Sequence, residues 1–211
     1  MGKKKVGKAV ETFVLFILDE TGSMQSYKEA TISGFNEYVN TLRKESVRMT
    51  VLGFNSKRRH LKVRNVLISE VEKLTDDNYK PDDMTPLYDT MSYALDSLIG
   101  DGSTVSKKMC VILTDGLENA SHEATREIVF SKVKGLEADG WTFVYLGANQ
   151  DAWSVAAAIG IGAGNTMRFD QTKTKIAFTS LASVTRCFAG SAKGQSASVF
   201  SDAKQSKKDY Q

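Results

Sequence analysis

Long apolar runs are missing from this 211-residue chain. No stretch approaches the roughly 18 residues of a membrane span, so no transmembrane helix is expected. Cysteine is scarce: Cys110 sits in an apolar run and Cys187 in a helical one. Two single, distant cysteines exclude a disulfide framework and read as buried free thiols in a reducing compartment. Net charge is only +3. That is too mild to argue for nucleic acid, and the positive residues gather at the ends (Lys3, Lys4, Lys5, Lys8; Lys204, Lys207, Lys208) and in Lys57, Arg58 and Arg59, where short basic runs are usually solvated. The basic start followed by an apolar run has the outline of a signal peptide. However, Glu11 interrupts it and no small-residue cleavage site follows before Asp19. Myristoylation is not expected, because Val6 stands where a serine or threonine would be needed. The expectation from these absences is a soluble cytoplasmic protein, without internal repeats.

What is present is an ordinary globular balance, 41% hydrophobic and 25% charged, in a chain long enough for one domain with a proper core. Short apolar runs at Phe13–Leu18, Met49–Phe54, Leu61–Ile68, Met109–Thr114 and Thr142–Leu146 read as strands, with a sixth near Thr166–Phe169. Three are almost continuously apolar, as strands covered on both faces are.

Helical patterns lie between them. Ser26 and Glu29 suggest a capping box before a stripe of Ile32, Phe35, Val39 and Leu42. Thr85 suits an N-cap with Pro86 at the first helical position, ahead of Leu87, Met91, Ala94, Leu95 and Leu98. Ser121 could cap a helix carrying Val129, Val133 and Leu136, stopped by Gly140. A short Ala-rich helix ends at Gly160, and Ala177, Leu181, Val184 and Phe188 mark a last one.

Alternation of strands and helices predicts an α/β fold: a doubly wound, Rossmann-like, mostly parallel six-stranded sheet with helices on both faces. The second and third strands are joined by only NSKRRH, so one antiparallel edge strand is expected. Residues 1–10 read as a basic extension, 11–190 as the domain, and 191–211, poor in apolar residues, as a flexible tail.

In open α/β sheets, ligands bind beyond the carboxyl ends of the strands. Oxygen donors collect at three such places. ILDETGSM puts Asp19, Thr21 and Ser23 after the first strand, MTPLYDT puts Thr85 at a helix entry, and VILTDGLEN puts Asp115 after a later strand. Each residue alone has a structural explanation as turn or cap. Two carboxylates and three hydroxyls without His or Cys form a hard donor set, suited to Mg²⁺ or Mn²⁺ and not to zinc or copper.

These motifs, in this order, resemble those of the von Willebrand factor A (VWA) domain with its metal-ion-dependent adhesion site, in its compact bacterial or phage form. The likeness runs from about Phe13 to about Phe188. It departs at Thr21, where the family has serine; a threonine hydroxyl can still coordinate. The resemblance implies a divalent cation held by Asp19, Thr21, Ser23, Thr85 and Asp115, directly or through water. It also implies metal-dependent protein–protein recognition, with an Asp or Glu of a partner completing the Mg²⁺ shell. Compact members often serve as adaptors in larger assemblies, including with ATPases. Self-association through a neighbouring copy's acidic residue stays open, and so does a purely structural metal.

The enzyme alternative is a Mg²⁺-dependent phosphohydrolase like the haloacid dehalogenases. It needs a second aspartate two places after the first as proton donor, and Thr21 cannot serve there. Gly160–Asn165 is glycine-rich but follows a helix, so a turn is expected and not a phosphate loop. His60 and His122 are expected to be exposed, Asp82 and Asp83 to be loop residues, and Glu118 and Asn119 to line the rim of the site. No catalytic constellation is otherwise evident.

Overall fold

Every residue from Phe13 to Leu18 is large and apolar, so the first strand carries bulky side chains on both sides and can be buried only if both are covered. In the computed structural model, which describes residues 12–115, 117–148, 151–170, 173–191 and 198–200, both sides are. All eight residues of β1 (Thr12–Asp19) are buried. The chain continues through α1 (Lys28–Leu42), β2 (Val47–Asn55), β3 (Arg58–Leu67), α2 (Leu87–Ser97) and β4 (Lys107–Thr114). It then runs through α3 (Arg126–Ala138), β5 (Trp141–Gly147), α4 (Ala152–Ala158), β6 (Thr166–Arg168) and α5 (Thr174–Gly190). The sheet order is β3-β2-β1-β4-β5-β6. Every neighbouring pair is parallel except β2 with β3.

Two apolar layers sandwich the sheet. Val14, Phe16 and Leu18 join α1 and α5 through Phe35, Tyr38, Phe178 and Leu181. Phe13, Leu15 and Ile17 join α2, α3 and α4 through Leu87, Met91, Val129 and Ala156. The strand order grows outward from β1 in one direction and resumes at β4 in the other. The carboxyl ends of β1 and β4 therefore flank the switch point where such sheets hold ligands. Leu18 pairs with Leu113, which brings Asp19 and Thr114 to the same edge of that crevice.

Several local expectations are corrected. The Ser26–Glu29 capping box does not form: Gly22–Tyr27 is a 3-10 turn, Tyr27 precedes α1, and the Ser26 hydroxyl donates to the Ser23 carbonyl. Thr85 is not a cap, because Pro86 (ψ 65°) is itself non-helical and α2 begins at Leu87. Ser121 does not cap α3; Thr125 does, accepting from the Ile128 N–H. The hairpin is tighter than expected. Asn55 Oδ1 accepts the N–H groups of Lys57 and Arg58 (3.0 Å each), so only Ser56 and Lys57 turn and the basic run enters β3. Gly140 (φ 86°) and Gly160 (φ 89°) end α3 and α4 in the left-handed region.

Residues 1–10 lie outside the described residues, as does most of the segment from 191 onward. Of that segment, Val199 is buried in the α1/α5 layer and its N–H donates to Asn165 Oδ1 (2.9 Å).

Candidate metal centre

The site is built at the end of β1, where the last strand residue is a carboxylate. Asp19 is fully buried. Its Oδ1 accepts the Thr21 N–H (2.7 Å) and its Oδ2 the Thr114 hydroxyl at the end of β4 (2.5 Å). Its backbone carbonyl accepts the hydroxyl of buried Tyr79 (2.9 Å). The Thr21 and Ser23 hydroxyls lie 3.2 Å apart, and Ser23 donates to Asp115 Oδ1 (2.7 Å). A continuous polar chain therefore runs from Asp19 through Thr21 and Ser23 to Asp115. Four of the five expected residues are brought together this way.

Thr85, also buried, reaches the same end through its backbone. Its N–H donates to Asn119 Oδ1 (2.8 Å) and its carbonyl accepts the Asn119 N–H (3.1 Å). Among the described residues no hydrogen bond joins its hydroxyl to the other four. The loop before it is tied to the β1 loop by Gly22 N–H to the Asp83 carbonyl (2.8 Å) and Asp82 N–H to the Glu20 carbonyl (2.9 Å).

Electrostatics single out Asp19. Burial raises its carboxyl to about 7, against the lowering effect of the Thr114 and Thr21 hydrogen bonds, and the charge of Asp115 adds to the rise. Burial raises Asp115 as well, partly offset by Ser23. Among the described residues no basic side chain pairs with Asp19. A buried carboxylate without a cation is costly, and a bound cation would relieve it. Asp19 and Thr21 form a closed floor, while Ser23 is exposed and Asp115 half-buried, which leaves the outer side open to solvent. Among the described residues there is no cluster of three or more His, Cys, Asp or Glu poised around a metal. The donors are two carboxylates and neutral hydroxyls, which fits a hard divalent ion and not a soft one.

Other residues matter here that the sequence reading left without a role or placed elsewhere. Thr114 holds Asp19, and Tyr79 fixes the strand end. Asp83 adopts φ 72° and accepts from Ser56 (2.6 Å), while Lys57 pairs with it at 2.8 Å. Those partners hold the Asp83 carboxyl down at about 2. Glu118, expected on the rim, is a brace: its carboxylate accepts the N–H groups of Tyr88, Ala120 and Ser121 and the Ser121 hydroxyl. Asp89 likewise accepts the N–H groups of His122, Glu123 and Ala124. Thr114, Tyr79, Asp83 and Asp89 act through contacts far along the chain, and so does Glu118 toward Tyr88, so a fixed spacing carries no signal for those contacts; only the Glu118 bonds to Ala120 and Ser121 are local. His60 is only half-exposed and lies against the wholly buried Glu20.

No family model and no curated protein matches the chain. Solved structures do match its fold. Proximal thread matrix protein 1 of the mussel byssus matches with TM-score 0.63 at 12% identity, over 83% of this chain and 48% of that one. This chain thus spans about half of the byssus protein. BatB of Bacteroides thetaiotaomicron, a conserved hypothetical protein, matches with TM-score 0.59 at 14% identity, over 85% of this chain and 100% of that one. The manganese-loaded TRAP protein of Plasmodium vivax matches with TM-score 0.55 at 13% identity, over 79% and 71%. At these identities the likeness is one of fold, and the fold resembles that of a VWA domain.

Proposed function

We propose that the chain is a divalent-metal-dependent protein–protein interaction module. The carrying observation is Asp19: a buried carboxylate at the sheet's switch point, without a basic partner among the described residues, facing hydroxyls and a second carboxylate. Asp19 and Asp115, with the hydroxyls of Thr21, Ser23 and Thr85, are the residues that would hold Mg²⁺ or Mn²⁺. Bound there, the ion supplies positive charge that attracts a carboxylate ligand.

The chain's own residues prepare this. The Thr21 N–H and Thr114 hydroxyl fix one lone pair on each Asp19 oxygen and leave others to coordinate. The neutral hydroxyls donate little charge, so attraction for an incoming Asp or Glu is retained. Exposed Ser23 and half-buried Asp115 leave that carboxylate a route in. The manganese-loaded structural neighbour supports a metal on this fold.

Calorimetric titration with Mg²⁺ and Mn²⁺ tests the reading. Saturable one-site binding that is lost in Asp19→Ala is expected; no binding to the wild type sinks it. Gel filtration with and without Mg²⁺ then separates a second copy of the chain from a foreign partner.

A further inference from the structure

Beside the metal loop, on the α1 side of the sheet, lies a cavity of about 370 Å³. That is within the range of roughly 300–1,000 Å³ typical of small-molecule sites. Its floor is apolar, formed by Phe35, Val51, Val63, Val71 and Leu74. Its polar wall comes from alternate residues of β3, which a strand presents on one face: Arg58, His60 and Lys62.

All three face the fully buried Glu20. Lys62 Nζ lies 2.6 Å from Oε1; Arg58 Nη2 lies 3.4 Å and His60 Nε2 3.5 Å from Oε2. Gly53 makes the room, since a Cβ there would stand 2.8 Å from His60 and 3.0 Å from Glu20. Two permanent cations against one carboxylate leave a surplus positive charge in a half-buried wall. Lys62 is further engaged by the Asn78 carbonyl. Arg58, half-exposed and touching Glu20 only at long range, keeps much of its guanidinium fork for another anion. His60 Nδ1, enclosed in the same wall, has no hydrogen-bond partner among the described residues. At the rim, Glu72 and Asp77 oppose Lys80, but these are exposed and screened by water.

We propose that this cavity binds a small molecule with an apolar body and a single carboxylate, the carboxylate on Arg58 and the body on the Phe35–Val63–Leu74 floor. The site is separate from the metal centre and does not rest on it.

The test is amide chemical-shift titration of the full chain in EDTA, which excludes a carboxylate bound through a metal. The probes are 4-phenylbutyrate, 4-phenylbutan-1-ol and 4-phenylbutylamine. Expected are saturable shifts at Val51, Val63 and Leu74 with the carboxylate, binding about tenfold weaker or worse for the alcohol, and none for the amine. Arg58→Gln, at a half-exposed position, should weaken the carboxylate about tenfold without unfolding the protein. Val63→Phe should block every probe by filling the floor. Equal binding of the three probes, no saturable shift, or shifts centred on Thr21 and Ser23 would overturn the proposal.

Discussion

A single carboxylate, Asp19, concentrates the electrostatics of the molecule. Its carboxyl is raised from 3.8 to about 7, chiefly by burial. The folded state therefore holds the proton more tightly than the unfolded state does. The stability this contributes is full below about pH 4 and is lost as pH rises toward 7, by on the order of 4 kcal/mol at most. Metal-free protein should accordingly melt at lower temperature at pH 7 than at pH 4.5. Asp19→Asn should flatten that dependence, and added Mg²⁺ should restore the neutral-pH stability; thermal melts across pH decide it. In the proposed metal site Thr114 is a positioning residue, since its hydroxyl anchors Asp19 Oδ2. Thr114→Val keeps the shape and removes the bond. Mn²⁺ affinity should fall about 10–100-fold, the usual loss when a partner that orients a metal ligand is removed. An unchanged affinity by calorimetry would remove Thr114 from the account.

Helices α1 and α5 meet closely at a glycine. On α1, a Cβ added to Gly34 would lie 2.1 Å from Cδ2 of the buried Phe178 on α5. Gly34 is thus what lets the two helices approach. Gly34→Ala should destabilise by about 1–3 kcal/mol and lower Tm by roughly 3–10 °C, and Phe178→Leu in the same chain should recover part of it. Melting curves of the single and double variants test this as a cycle. Elements also explain the misplaced caps. Thr85, Ser121 and Ser26 all have cap-forming side chains, yet each segment has a stronger competing partner: Thr85 pairs with Asn119, Ser121 with Glu118 and Asp89, Ser26 with Ser23. Capping propensity loses to these contacts, local for Ser26–Ser23 and Ser121–Glu118 and distant for Thr85–Asn119 and Ser121–Asp89.

Across the whole molecule, burial and pairing are densest at the centre of the sheet. β1 lies between β2 and β4, wholly buried, whereas β3 and β6 are edges with partly exposed residues. Amides of β1 and β4 should therefore exchange slowest, at the free energy of global unfolding, and those of β3 and β6 earlier by local opening. Native-state hydrogen exchange by NMR reads this directly; faster exchange in β1 than in β3 would contradict the layered core. The apolar runs, their spacing and the helical stripes were enough to determine the α/β class, six strands and the antiparallel edge, because burial on both faces demands continuous apolar strands and a linker as short as NSKRRH cannot hold a helical crossover. That Asp19, Thr21, Ser23 and Asp115 lie at one end of the sheet was equally legible, since they stand at, or within four residues after, the ends of β1 and β4. Only the tertiary structure decided that Thr114 and Tyr79 hold Asp19, that Glu118 reaches Tyr88 and Asp89 the 122–124 loop, and that His60, Arg58 and Lys62 gather around the buried Glu20. Those contacts join residues dozens of positions apart, and the chain order that brings them together is set by the packing of the sheet and not by any local pattern.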